Sequence, residues 1–180
     1  MIDYKYAEYA WEQAASLLAI DSPSGFTAKA VAWLKEQFEG LGFVVTVTTK
    51  GGLLVDLGGK NNEDSLMLAA HADTLGGMVA EIKGSGRLRL TNLGGMKADN
   101  GEAENVRVYT RDGRIYEGTL QLCNASVHVN GDYSTAKRNF DTQLPGVCGG
   151  RNILIQNHFR GVEAALGGAV VAVHMNRSVT

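Results

Sequence analysis

The sequence predicts an α/β half-domain followed by a small all-β barrel. Three observations carry that expectation. Two amphipathic helical stripes open the chain. An apolar strand-like run closes the opening stretch at His71. After Thr74 the pattern changes to short β-branched runs separated by glycine-rich turns.

Residues 3–19 read as a helix, because Ala7, Ala10, Trp11, Ala14, Leu17 and Leu18 recur three and four apart and fall on one stripe. Ile20-Asp21-Ser22-Pro23-Ser24-Gly25 is a turn cluster that stops it. Thr27 stands where a helix cap belongs, ahead of a second helix over 28–41 with the stripe Val31, Leu34, Phe38 and Leu41, and Gly42 follows as its stop. Phe43–Thr49 is β-branched and reads as a strand, and Leu53–Leu57 as another. Leu66-Met67-Leu68-Ala69-Ala70 is apolar on both faces, which predicts a strand buried inside a helix-covered sheet. Five further strands are expected at Met78–Ile82, Arg87–Thr91, Val106–Thr110, Ile115–Leu122 and Ala125–Val129, with no helix among them. The Asp112-Gly113 pair between two of them is a hairpin signal. The expected division is 1–74 for the opening part of an α/β domain, 75–142 for the barrel, and 143–180 for a divergent tail. Net charge is −4 over 1–142 and +2 over 143–180, and no period is legible in the tail.

Composition narrows the function classes. The 180 residues are 44% hydrophobic and 20% charged, enough to bury a core. A net charge of −2 supplies no basic field for nucleic acid and no polybasic membrane signal. The most apolar stretch, Ala164–Val173, is too short to span a bilayer, and Met1–Lys5 has no apolar segment of a signal peptide, so a cytoplasmic protein is expected. Cys123 and Cys148 are too few for a disulfide framework or a metal knuckle.

The sharpest chemical signal is His71-Ala72-Asp73, at the end of the expected buried strand. Ligands of open α/β sheets gather at carboxyl ends of strands. In extended backbone, residues two apart face the same side. His71 can then bind a metal through one ring nitrogen while Asp73 accepts the proton on the other, which fixes the tautomer. The plainer alternative is a strand-end histidine and aspartate that cap loop amides or pair with each other on the surface.

Leu68-Ala69-Ala70-His71-Ala72-Asp73-Thr74-Leu75-Gly76-Gly77-Met78-Val79 resembles the dinuclear-metal aminopeptidases that form tetrahedral dodecamers, the family of glutamyl and deblocking aminopeptidases. Ile20–Gly25 and the stretch Ala125–Asp132, continuing to Lys137–Asp141, resemble it too, so the likeness covers about 1–142. The resemblance implies an α/β catalytic domain interrupted just after the His-x-Asp motif by a β-barrel used in assembly into a homo-oligomer. It implies that His71 is a metal ligand and that Asp73 is the catalytic carboxylate that orients it. Two divalent ions, zinc or cobalt, would activate a water that attacks the carbonyl of a peptide substrate beside a free amino terminus.

The family's remaining carboxylates and last histidine come from the catalytic domain after the insert. The tail offers one acid, Glu163, with His158 and His174 sixteen apart, and does not match them. The expectation is therefore a truncated and inactive aminopeptidase, explained by a changed reading frame near codon 142 or by a truncated gene. Translating the neighbouring DNA in its other frames then recovers the missing half. Two other readings are a non-enzymatic β-barrel assembly module, marked by a discrete oligomer without metal uptake, and a folding-compromised remnant. A glycosidase needs two facing carboxylates, and no such pair is placed here. Lys137-Arg138 reads as a solvated pair, His128 as structural, Cys123 as a buried apolar residue, and Ser24 sits in no nucleophile elbow.

Overall fold

The computed structural model describes residues 4–61, 63–83, 88–122, 126–128, 131, 153–156 and 170–174. Lys137-Arg138, His158, Glu163, Cys123 and Cys148 lie outside them. The chain divides into two compact units, Met1–Thr74 and Leu75–Thr180.

The first unit is mixed α/β. Helix α1 spans Tyr4–Leu18 and buries none of its residues, so its apolar stripe stays open among the described residues. Helix α2 spans Ala28–Gly40. Thr27 holds the capping position without using its side chain. At the other end the amide of Gly42 donates to Glu39 O at 2.9 Å and that of Phe43 to Phe38 O at 3.1 Å. These two bonds form a Schellman stop, with Gly42 in the left-handed region at φ +89° that a side chain would resist. Strands β1 (Val45–Val47) and β2 (Leu53–Val55) pair antiparallel, Val45 opposite Val55. The connection is fastened by Thr48, whose amide donates to Gly52 O at 2.8 Å and whose hydroxyl accepts from the Gly52 amide at 2.8 Å.

The expected buried strand at Leu66–Ala70 is not present. These residues are irregular and exposed, with Leu66 at 87% and Met67 at 82%. A strand apolar on both faces is buried only when other strands flank it and helices cover it. The two-stranded β1–β2 sheet does not include it, and the parallel bridge between Pro23 and Thr74 lies beyond its end.

The second unit holds β3 (Gly76–Ile82), β4 (Leu88–Leu93), a one-turn helix α3 (Ala98–Gly101), β5 (Asn105–Tyr109), β6 (Ile115–Leu122), β7 (Ile153–Gln156) and β8 (Val170–His174). The strands pair in the cyclic order β3-β4-β7-β6-β5-β8 and back to β3. Closure between β4 and β7 rests on a single register pair, Leu88 with Ile155. Strands β7 and β8 come from beyond residue 142, so this unit runs on into the segment that showed no period. Alternation along β4 and β5 sends Leu88, Leu90, Val106 and Val108 inward, where they meet Val79 and Leu120 as the buried core. Two expectations are corrected here. Helix α3 interrupts what read as strands and turns only. Ser126–His128, expected inside a strand over 125–129, form a turn in which the His128 amide donates to Ser126 Oγ at 3.2 Å. Serine competes for backbone amides in this way and pulls short segments out of ladders.

The β5–β6 hairpin turns through Asp112-Gly113, with Gly113 at φ +82°. The Thr110 amide donates to Arg114 O at 3.0 Å, the Arg114 Nε donates to Asp112 Oδ2 at 2.8 Å, and the Thr110 hydroxyl donates to Asp112 Oδ1. The Arg114 guanidinium, and after it the Thr110 hydroxyl, lowers the Asp112 carboxyl from 3.8 to about 2. A depressed acid contributes stability above its unfolded value and loses it as pH falls through its folded value. The native chain is therefore expected to melt above an Asp112→Asn chain near neutral pH, with the gap closing between 3.8 and about 2. A gap independent of pH in thermal melts would refute this.

Candidate active site

The site lies wholly in the first unit, where the turn after α1 meets the segment before Thr74. Three contacts fasten them. The Ser22 hydroxyl donates to Ala72 O at 2.6 Å, the Thr74 amide donates to Ser22 O at 2.8 Å, and the Ser22 amide donates to Thr74 Oγ1 at 3.3 Å. Ser22 and Pro23 are buried, two of the few residues of this unit that are. The turn tightens on itself through the Phe26 amide, which donates to Pro23 O at 2.7 Å.

On this frame His71 and Asp73 meet. His71 Nδ1 lies 3.0 Å from Asp73 Oδ1 and 3.1 Å from the Asp73 carbonyl oxygen. A carboxylate and a carbonyl only accept, so Nδ1 is the protonated nitrogen and Nε2 of the neutral ring carries the lone pair. The His71 side chain is 87% exposed, which leaves Nε2 open to solvent. Asp73 Oδ2 accepts from the Ser24 hydroxyl. That hydrogen bond, foremost, holds the Asp73 carboxyl below its ordinary value; burial opposes it, and the His71 ring adds to it. Beside the pair is a hollow of about 700 Å³, bordered by Val31 and Phe38 of α2 and Leu53 and Val55 of β2.

Ser24 was invisible as a site residue in the sequence, because it carries no catalytic motif of its own. The signals available were its place in the Ser22-Pro23-Ser24-Gly25 turn and the family likeness of Ile20–Gly25, neither of which assigns its hydroxyl a role. His128 lies in the second unit, in a turn with Ser126. His174 falls in β8, also in the second unit.

The donor set fits one metal ligand with its orienting carboxylate. It does not make a complete site: among the described residues no three histidine, cysteine, aspartate or glutamate side chains converge. A catalytic zinc centre takes about three protein ligands.

Comparison with known proteins bears on the same residues. The family model of the M42 glutamyl aminopeptidases matches residues 51–144, a span that includes His71 and Asp73. A protein of Bacillus subtilis (strain 168) named as an aminopeptidase, YhfE, is 37% identical over 123 residues, covering 68% of this chain and 36% of its own length. Among solved structures, the TET aminopeptidase of a marine-sediment archaeon of the Thaumarchaeota matches with a TM-score of 0.69 at 22% identity, over 93% of this chain and 45% of that one. PhTET1-12s, described as a dodecamer, matches with a TM-score of 0.65 at 19% identity, over 91% of this chain and 45% of that one. At such identities the structural likeness speaks for the fold. The chain spans less than half the length of each of these proteins. With the family model covering just over half its residues, this chain belongs to the M42 glutamyl aminopeptidase family.

Proposed function

We propose that the chain is part of a metal-dependent aminopeptidase that removes N-terminal residues from peptides, with His71 as a metal ligand and Asp73 as the carboxylate that orients it. The observation that carries this is the 3.0 Å contact between His71 Nδ1 and Asp73 Oδ1, which leaves Nε2 as the free donor. A divalent metal bound there, zinc or cobalt, would supply Lewis acidity and lower the pKa of a coordinated water. The protein's own contribution at this position is orientation. The carboxylate fixes the ring's tautomer and rotation, and the stapled turn fixes the carboxylate. The second unit, read as a small barrel inserted into the catalytic domain, serves assembly into a homo-oligomer. A cytoplasmic location accords with this reading.

These 180 residues alone are proposed to be inactive, since one imidazole with one supporting acid does not hold two divalent ions at catalytic affinity. Two measurements test the reading together. Added cobalt is expected to bind weakly and to broaden the ring signals of His71, and His71→Ala is expected to weaken cobalt binding. The pure chain with cobalt is expected not to cleave aminoacyl-nitroanilides. Cobalt binding indifferent to His71→Ala would sink the ligand assignment, and measurable cleavage would sink the inactivity.

A further inference from the structure

Asp73 is gripped at both oxygens, by one residue near it in sequence and one far from it. Oδ1 faces His71 two residues back, at 3.0 Å, and Oδ2 accepts from Ser24, 49 residues away. A carboxylate held at one oxygen can swing about its Cβ–Cγ bond, whereas one held at both has a single orientation. Ser24 is not needed to fasten the two segments, because Ser22 does so through its hydroxyl, its carbonyl and its amide. The hydroxyl of Ser24 therefore acts on the carboxylate rather than on the backbone. Its own position is set by the buried Pro23 before it, the Pro23–Thr74 bridge, and Gly25 after it at φ +84°.

We propose that Ser24 is a positioning residue: its hydroxyl sets the Asp73 carboxylate in the orientation that keeps the proton on His71 Nδ1 and Nε2 free. This rests on the reading of His71 as a metal ligand, and the test separates the two. The tautomer of the neutral His71 ring is read in the metal-free 180-residue chain by long-range nitrogen–proton correlation. The native chain is expected to show mainly the Nδ1–H form. Ser24→Ala is expected to lower the ratio of Nδ1–H to Nε2–H by at least about twofold, the lower end of what one hydrogen bond supplies. Ser24→Thr, which keeps a hydroxyl, is expected to hold the native ratio. Ser22→Ala, which loosens the staple and leaves the carboxylate's partners in place, is expected to lower the melting temperature without changing the ratio. The proposal is overturned by a native ratio in Ser24→Ala, by an equal fall in Ser22→Ala, or by a fall in Ser24→Thr matching that in Ser24→Ala. Zinc is then added to the native chain. An unmoved Nε2 resonance defeats the metal reading and leaves the tautomer result standing.

Discussion

Leu90→Ala is expected to destabilise the second unit by about 2–5 kcal/mol, toward the upper end of that range. Leu90 is 1% exposed and lies opposite Val79 in the β3–β4 register. The cost of such a truncation depends on whether neighbours can move into the space. Here one neighbour is Gly77: a Cβ built on it would lie 3.4 Å from Leu90 Cδ1 and 3.0 Å from the Thr91 carbonyl oxygen. Glycine has no side chain to swing into the void, and the close backbone leaves it little room to shift. Against a net stability of about 5–15 kcal/mol for a typical domain, this is a large fraction. The melting temperature should fall by more than about ten degrees. Arg89→Ala, next in sequence, should cost less than Leu90→Ala, because the Glu81 partner of its ion pair is half exposed and solvent screens the attraction. Both tryptophans, Trp11 and Trp33, lie in the first unit. Far-ultraviolet circular dichroism should therefore report the loss in the second unit, which holds no tryptophan. A Leu90→Ala chain that melts like the native one would mean that the buried core is not where stability resides.

The second large effect concerns solubility. Leu66 and Met67 are 87% and 82% exposed and adjacent. Leu54, Leu57 and Val44 of the same unit are exposed as well. Apolar surface left open in this way drives association. The double substitution Leu66→Glu and Met67→Lys is expected to raise the soluble, non-aggregated fraction several-fold, measured by size exclusion with light scattering. It should leave the melting temperature nearly unchanged, because these side chains lose little contact. A steep fall in melting temperature would show instead that the two side chains are packed in solution.

What could be read in advance divides by distance along the chain. The stop of α2 at Gly42 and the hairpin at Asp112-Gly113 were legible because each is decided within about five residues by a left-handed glycine and nearby amides. The apolar run at 66–70 was misread because its pattern states only that it is apolar on both faces. Whether it is buried depends on strands and helices contributed from elsewhere. The His71–Asp73 pair was legible as a spacing, since residues two apart share a side in extended backbone, and the contact survives although the segment is not a strand. Ser24 was not legible, because its hydroxyl gains a role only through an acid 49 positions later. Strands β7 and β8 were hidden for a related reason: Ile153–Gln156 and Val170–His174 are almost uniformly apolar and carry no alternation to read.

The Pro23–Thr74 bridge sets an order of events at the ribosome. Ser22 and Ser24 emerge about fifty residues before their partners, so at roughly 5–20 residues per second the turn waits some 3–10 s with its hydroxyls bonded only to water. His71 acquires its fixed tautomer when Asp73 and Thr74 clear the exit channel. Slowing translation over codons 50–74 would lengthen the interval in which Leu66 and Met67 meet chaperones before the first unit has closed its staple.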